Sequence, residues 1–139
     1  MTAIPFHLAF PVRDLQVARH FYGQLLKCPE GRSSDTWVDF EFFGHQITAH
    51  LGTSAMGGIE NPVDGERVPV PHFGAILSWD HYHQLAGHLE SQGATFRIKP
   101  TIRFKGLVGE QATMFVEDGN GNVLEFKSFK DQAMIFAAT

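Results

Sequence analysis

A lone cysteine, Cys28, leaves this 139-residue chain with no partner for an intramolecular disulfide and no thiolate set for a zinc cage. That scarcity fits a reducing compartment, so a cytoplasmic location is expected. Basic residues are also few: eleven Lys and Arg face fifteen Asp and Glu, for a formal net charge of −4. No segment gathers them on one face, and the interval Arg97 to Lys105 is too sparse, so neither nucleic acid nor an anionic membrane is an expected partner. No apolar run approaches the roughly 18 residues of a spanning helix, and the start of the chain lacks the charged-then-apolar order of a secretion signal. A Gly-x-Ser-x-Gly elbow and a phosphate-cradling Gly-Lys-Ser loop are missing too, which weakens hydrolase and nucleotide-triphosphatase readings. What is present is a 43% apolar composition with thirteen Phe, enough for one compact folded domain.

The apolar periodicity breaks most clearly between Gly52 and Pro71, a Gly- and Pro-rich stretch that reads as a linker or mobile loop. On either side the grammar repeats. Ile4 to Phe10 reads as a strand ended by Pro11, and Asp14 as the cap of a helix with apolar positions Leu15, Ala18, Tyr22, Leu25 and Leu26. Strands Trp37 to Phe43 and Gln46 to Leu51 follow, joined at Gly44-His45. The second half starts again with a strand over His72 to Leu77, Asp80 as cap, a Tyr82, Leu85, Ala86, Leu89 stripe and a stop at Gly93. Strands Thr95 to Lys99, Gln111 to Glu117 and Val123 to Lys127 complete it, the last two joined by the turn Asp118-Gly119-Asn120-Gly121-Asn122. Each half is a β-α unit followed by two or three strands, so the expected class is α+β: module 1 over about 4–51, a linker over about 52–71 and module 2 over about 72–130. Two such sheets, each with one face uncovered, can enclose a cleft.

Eight His and fifteen carboxylates supply the metal-ligand chemistry. Strand residues are aimed most rigidly. His7 and His72 open the first strand of each half; His50 and Glu125 fall near the end of the last strand of each, so the repeat pairs the four. Two neutral imidazoles with one carboxylate make an open-faced set that suits Fe(II), Mn(II), Zn(II) or Ni(II). A carboxylate at Glu125, amid Val, Leu and Phe, needs a compensating partner; the competing reading puts it on a solvated face beside Lys127. For His7 and His72 the competing reading is a hydrogen-bonded core or rim imidazole. His50 stays open between a fourth ligand, a proton carrier behind the ligands and an outward-facing polar residue. His20, His81, His83 and His88 fall on the wet side of their helices, His45 in a hairpin, and Cys28 has no local activating partner.

Phe6-His7-Leu8-Ala9-Phe10-Pro11-Val12-Arg13-Asp14-Leu15 with Ala18-Arg19-His20-Phe21-Tyr22 resembles the opening of the vicinal oxygen chelate superfamily, which includes glyoxalase I, bleomycin- and fosfomycin-resistance proteins and type I extradiol dioxygenases. His72-Phe73-Gly74 and Asp118-Gly119-Asn120-Gly121-Asn122-Val123-Leu124-Glu125-Phe126 resemble the opening and ending of its second module, and the likeness spans about 4–130. The resemblance implies paired βαβββ modules forming a cup around a divalent metal, commonly as a homodimer. By motif position it implies His7, His72 and Glu125 as ligands. It places His50 where glyoxalase I-like members use a carboxylate, and so leans towards an iron-dependent, extradiol-like dioxygenase acting on vicinal oxygens. In that reading His50 carries protons, and Tyr82, Arg103, Lys105, Glu110 and Gln111 are candidates for contacting substrate. A Zn(II) or Ni(II) lyase or isomerase is the alternative, as is a metal-free small-molecule-binding resistance protein whose aromatic cleft would draw on Trp37, Phe40, Phe42, Phe104 and Phe115.

Overall fold

A computed structural model describes residues 3–52, 59–63 and 65–138. The chain order is β1 (His7–Val12), α1 (Leu15–Ala18) running into a π-helical segment (Arg19–Leu25), β2 (Glu30–Ser33), β3 (Trp37–Phe42), β4 (His45–Leu51), β5 (Ile59–Val63) and β6 (Glu66–Val70). It continues through β7 (Phe73–Ile76), α2 (Trp79–Ser91), β8 (Phe96–Arg103), β9 (Gln111–Glu117) and β10 (Val123–Phe129). The expected repeat is there: two four-stranded mixed sheets have the same order, β1-β4-β3-β2 and β7-β10-β9-β8, with the first and last strand of each module parallel. The class is α+β. The chain divides into two compact units, residues 1–58 with 118–122, and residues 59–117 with 123–139.

In the first unit, alternation sends Phe10, Val12, Val38, Phe40, Phe42, Ile47 and Ala49 to one buried face. The helical segment covers that face with Leu15, Ala18, Phe21, Tyr22 and Leu26. Phe21 replaces the expected Leu25, which is half-buried, because the segment is π-helical: Leu26 donates its N–H to Phe21 five residues back, and five-residue spacing carries Phe21 inward. Asp14 caps α1 as read, accepting from the N–H groups of Gln16 and Val17 at 2.7 and 3.2 Å. The β3–β4 turn sits one residue earlier than read, at Phe43-Gly44, both with positive φ (51° and 85°), the geometry of a tight hairpin turn; His45 already belongs to β4.

The turn at 118–122 folds with this first unit rather than with the strands it joins. Asp118, buried, accepts from the N–H of Asn120 and Asn122, from the Tyr22 hydroxyl at 2.8 Å and from Asn122 Nδ2 at 3.0 Å. Asn120 Oδ1 accepts from the N–H of Arg13 and Asp14, and Asn122 Nδ2 donates to the Pro11 carbonyl. Orphan donors at the start of α1 are thereby satisfied by a remote loop. Burial, then the neighbouring Asp118 carboxylate, pushes the Tyr22 phenol well above its ordinary pKa.

In the second unit α2 lays Tyr82, Leu85, Ala86 and Leu89 over Ala112, Met114, Val116, Leu124 and Phe126. Its cap is Ser78, not Asp80: the Ser78 hydroxyl accepts from His81 N–H at 3.2 Å, while Asp80 lies inside the first turn. Gly93, at φ 73°, ends the helix as expected. The stretch read as a linker holds a β-hairpin instead, β5 with β6, up to Val70; residues 53–58 and 64 lie outside the described ones. Val68 on this hairpin is fully buried and clusters with Ile98, Phe115 and Val123, so it covers part of the sheet face that α2 leaves bare. That gives a nominally loop-like segment its own apolar anchor.

Candidate functional site

On the second sheet Leu124 and Phe126 point towards α2, and Glu125 therefore points to the opposite face. His72, just before β7, meets it there: His72 Nε2 stands 3.3 Å from Glu125 Oε1. The other imidazole nitrogen is committed, since Nδ1 lies 2.8 Å from the Pro69 carbonyl, which can only accept. Nδ1 must therefore carry a proton, and the neutral ring turns the Nε2 lone pair straight at a carboxylate oxygen. Two lone pairs at 3.3 Å need a cation between them, either a proton on Nε2 or a metal ion. Neighbouring ligands on one first-row cation, at bond lengths of about 2.1 Å, are themselves roughly 3.0–3.4 Å apart. The donor set thus fits a divalent metal, with the carbonyl behind the imidazole fixing its tautomer and the Thr113 hydroxyl, 2.8 Å from Oε2, fixing the carboxylate.

The charges respond to this geometry. The bond to Glu125 raises the His72 pKa above 6.5 against the opposing effect of burial. Burial works to raise Glu125, but the bonds from His72 and Thr113 prevail and hold its carboxyl below 4.5. Gly74 makes the approach possible. It pairs with Glu125 across β7–β10, and a Cβ there would lie only 1.6 Å from the Glu125 carbonyl oxygen. A cavity of about 230 Å³ opens over the pair, lined by His72, Gly74, Ile76, Glu125 and Lys127 among others.

No protein-family model matches the chain, and no curated protein does. Among solved structures, a glyoxalase/bleomycin resistance protein/dioxygenase from Alicyclobacillus acidocaldarius is 33% identical over 96% of both chains, with a TM-score of 0.79. The chain belongs to the glyoxalase/bleomycin resistance/dioxygenase family. At lower identity the fold recurs in the fosfomycin resistance protein FosX from Listeria monocytogenes (16% identical, 92% of this chain and 94% of that one, TM-score 0.66). It recurs also in a glyoxalase-family protein from Bacillus anthracis (17%, 94% and 98%, TM-score 0.64).

The family's module repeat allows the expected site residues to be placed by register rather than by counting. If His7 answers to His72, the residue answering to Gly74 is Ala9, and Ala9 pairs with Thr48. The counterpart of Glu125 in the first module is therefore Thr48, and that of Lys127 is His50. This corrects the pairing of His50 with Glu125. Thr48 is buried and donates to Asp39 Oδ1 at 2.6 Å; His50 is exposed, opposite Trp37 and Pro11. His7 stands exposed at the start of β1 in the first unit. Among the described residues no three His, Cys, Asp or Glu side chains form a metal-holding group; of the expected ligands the structure joins His72 and Glu125.

None of the five expected substrate contacts lines the cavity over that pair. Tyr82 is buried on the core side of α2, where loss of solvent pushes its phenol pKa up. Glu110 is buried and turned into its own loop, accepting from Gly106 N–H at 2.9 Å. Lys105 is exposed in that loop, Gln111 begins β9 with its amide at the Gly109 carbonyl, and Arg103 lines a separate depression with Arg97 and Lys99. Phe40, Phe42 and Phe115, offered for an aromatic cleft, are core residues; Trp37 is half-buried and Phe104 exposed. Thr113 is absent from the sequence reading, and Lys127 enters it only as a neighbour of Glu125 on a possible solvated face, not as a site residue. Alternation carried the signal for both: Lys127 shares the Glu125 face two residues on, and Thr113 is its cross-strand partner. Cys28 is buried, and burial pushes its thiol up to about 12, an inert group at neutral pH.

Proposed function

We propose that the protein is a divalent-metal-dependent enzyme of this family, a dioxygenase-like oxidoreductase that acts on a small substrate with vicinal oxygens. The observation that carries this reading is the cation-demanding contact of His72 Nε2 with Glu125 Oε1, backed by the Pro69 carbonyl and the Thr113 hydroxyl. The name of the 33% identical Alicyclobacillus acidocaldarius relative includes a dioxygenase. In the proposal His7 completes the ligand set with His72 and Glu125, Fe(II) is the favoured ion, and the protein works as a homodimer.

A bound divalent ion would act as a Lewis acid towards the substrate's oxygens and leave positions open for them. The chain's own residues do the rest. His72 and Glu125 hold fixed orientations because each has its second polar atom tied down, so little reorganisation is needed when the substrate arrives. His50, an exposed imidazole on β4, is assigned the transfer of the substrate's hydroxyl proton.

Elemental analysis of protein purified without added metal tests the reading, with Glu125→Ala beside the native chain. The native protein is expected to hold about one metal per chain and the variant to lose most of it. Iron together with oxygen uptake on a catechol supports the dioxygenase; Zn or Ni without oxygen uptake reassigns the site to a lyase or isomerase. Equal metal content in the two proteins refutes the ligand assignment.

A further inference from the structure

Lys127 shares a sheet face and a cavity with the His72–Glu125 pair. It is half-buried on β10, two residues after Glu125 and on the same face, and it lines the same cavity. Its cross-strand neighbours are Ile76 on β7 and Thr113 on β9. The Glu125 carboxylate on the same face is already engaged at both oxygens, Oε1 with His72 and Oε2 with the Thr113 hydroxyl. The Lys127 ammonium makes no ion pair and donates no hydrogen bond to any described residue, although its charge is felt by both His72 and Glu125. Among the described residues no carboxylate pairs with this cation, and the cavity of about 230 Å³ that it lines together with Ile76 has room for an anion.

We propose that this anion is part of the substrate: Lys127 binds a carboxylate carried on the same small molecule whose vicinal oxygens reach the His72 and Glu125 centre. The inference rests on the metal-site reading above and narrows its substrate class to organic acids. Ile76, 44% exposed on the same face, supplies the apolar wall for the carbon skeleton. The ammonium contacts the substrate and not the metal. It sets specificity by making a charge-assisted hydrogen bond that an uncharged analogue cannot make.

The test uses full-length protein loaded with Mn(II) and titrated with 2,3-dihydroxybenzoate and with catechol, which differ only by the carboxylate. Binding is followed by calorimetry and metal content by elemental analysis, for the native chain, Lys127→Met and Lys127→Arg. The native protein is expected to favour the acid. Lys127→Met should weaken the acid about tenfold, leave catechol binding and metal content unchanged, and abolish the preference. Lys127→Arg should retain most of it. An unchanged preference in Lys127→Met, or an equal loss for both ligands, overturns the role of Lys127 and leaves the metal site standing. Should the native protein take up no metal, the metal reading fails instead. The metal-free protein then decides: binding of 2,3-dihydroxybenzoate that falls in Lys127→Met upholds the carboxylate pocket, and binding indifferent to it rejects the pocket too.

Discussion

The contact of His72 Nε2 with Glu125 Oε1 is bridged by a proton when no metal is bound, and the proposed metal would have to displace that proton, which gives the proposal a measurable pH signature. Without metal, His72 and Glu125 form an imidazolium–carboxylate pair with side-chain exposures of only 24% and 20%. His72 has its folded pKa raised above 6.5, so its contribution to stability is complete below 6.5 and is lost as pH rises through the folded value. Glu125 has its pKa lowered beneath 4.5, so its contribution is present above 4.5 and is lost as pH falls through the folded value. Calorimetric melting of metal-free native protein against Glu125→Gln should therefore show the largest gap in melting temperature between about pH 4.5 and 6.5, narrowing on both sides. Stabilisation by added metal should follow the opposite course above pH 6.5 and grow as the proton leaves Nε2. A gap that does not change with pH would contradict the pair.

Among the elements, β7 and β10 hold His72, just before β7, and Glu125 side by side, and the closeness of the two strands depends on a missing side chain. Gly74→Ala would drive a Cβ to 1.6 Å from the Glu125 carbonyl, a backbone atom that cannot swing aside. The strands must part, at a cost of roughly 3 kcal/mol or more, and urea unfolding should show the loss together with weakened metal binding. In the first unit the 118–122 turn is the comparable element. Asp118→Ala removes an acceptor shared by the Tyr22 hydroxyl, the Asn122 side-chain amide and two backbone N–H groups, and should lower stability by about 3 kcal/mol in the same assay while leaving both proposed ligands in place. Strand and helix identities at this scale were legible because period-2 and period-3.6 patterns report which face is buried. Register was not. The position of His50 near the end of its strand suggested equivalence with Glu125, yet cross-strand pairing decides equivalence and assigns Thr48. The β5–β6 hairpin escaped notice because Pro62 and Pro69 interrupt its strand signal, while its anchoring apolar residue, Val68, has long-range partners that no local window contains. Ser78 and Asp80 are both competent caps two residues apart, and only the backbone, extended at Ser78, selects between them.

For the whole molecule the decisive residue is His7, the one proposed ligand in the first unit, while His72 and Glu125 belong to the second. The sequence made the candidacy of all three legible, because the repeat sets His7 and His72 at matching strand openings. It could not show which atoms meet, since that depends on the tautomer fixed by Pro69 and the bond from Thr113. The proposed ligand set can therefore be tested one ligand at a time. Any ion that binds only the native state then raises melting temperature in proportion to the logarithm of its concentration over Kd. His7→Ala removes an exposed side chain, so its effect on metal-free stability should be small, within about 0.5 kcal/mol. Titrated with Mn(II) or Fe(II) under anaerobic conditions, the variant should nonetheless need at least about tenfold more metal than the native chain for the same rise in melting temperature. Sedimentation in the same buffers should give about twice the 15.5 kDa chain mass for both proteins. A metal response identical in His7→Ala and native protein would confine the centre to the second unit, and the two-histidine, one-carboxylate set would have to be abandoned for a site built from His72 and Glu125 alone.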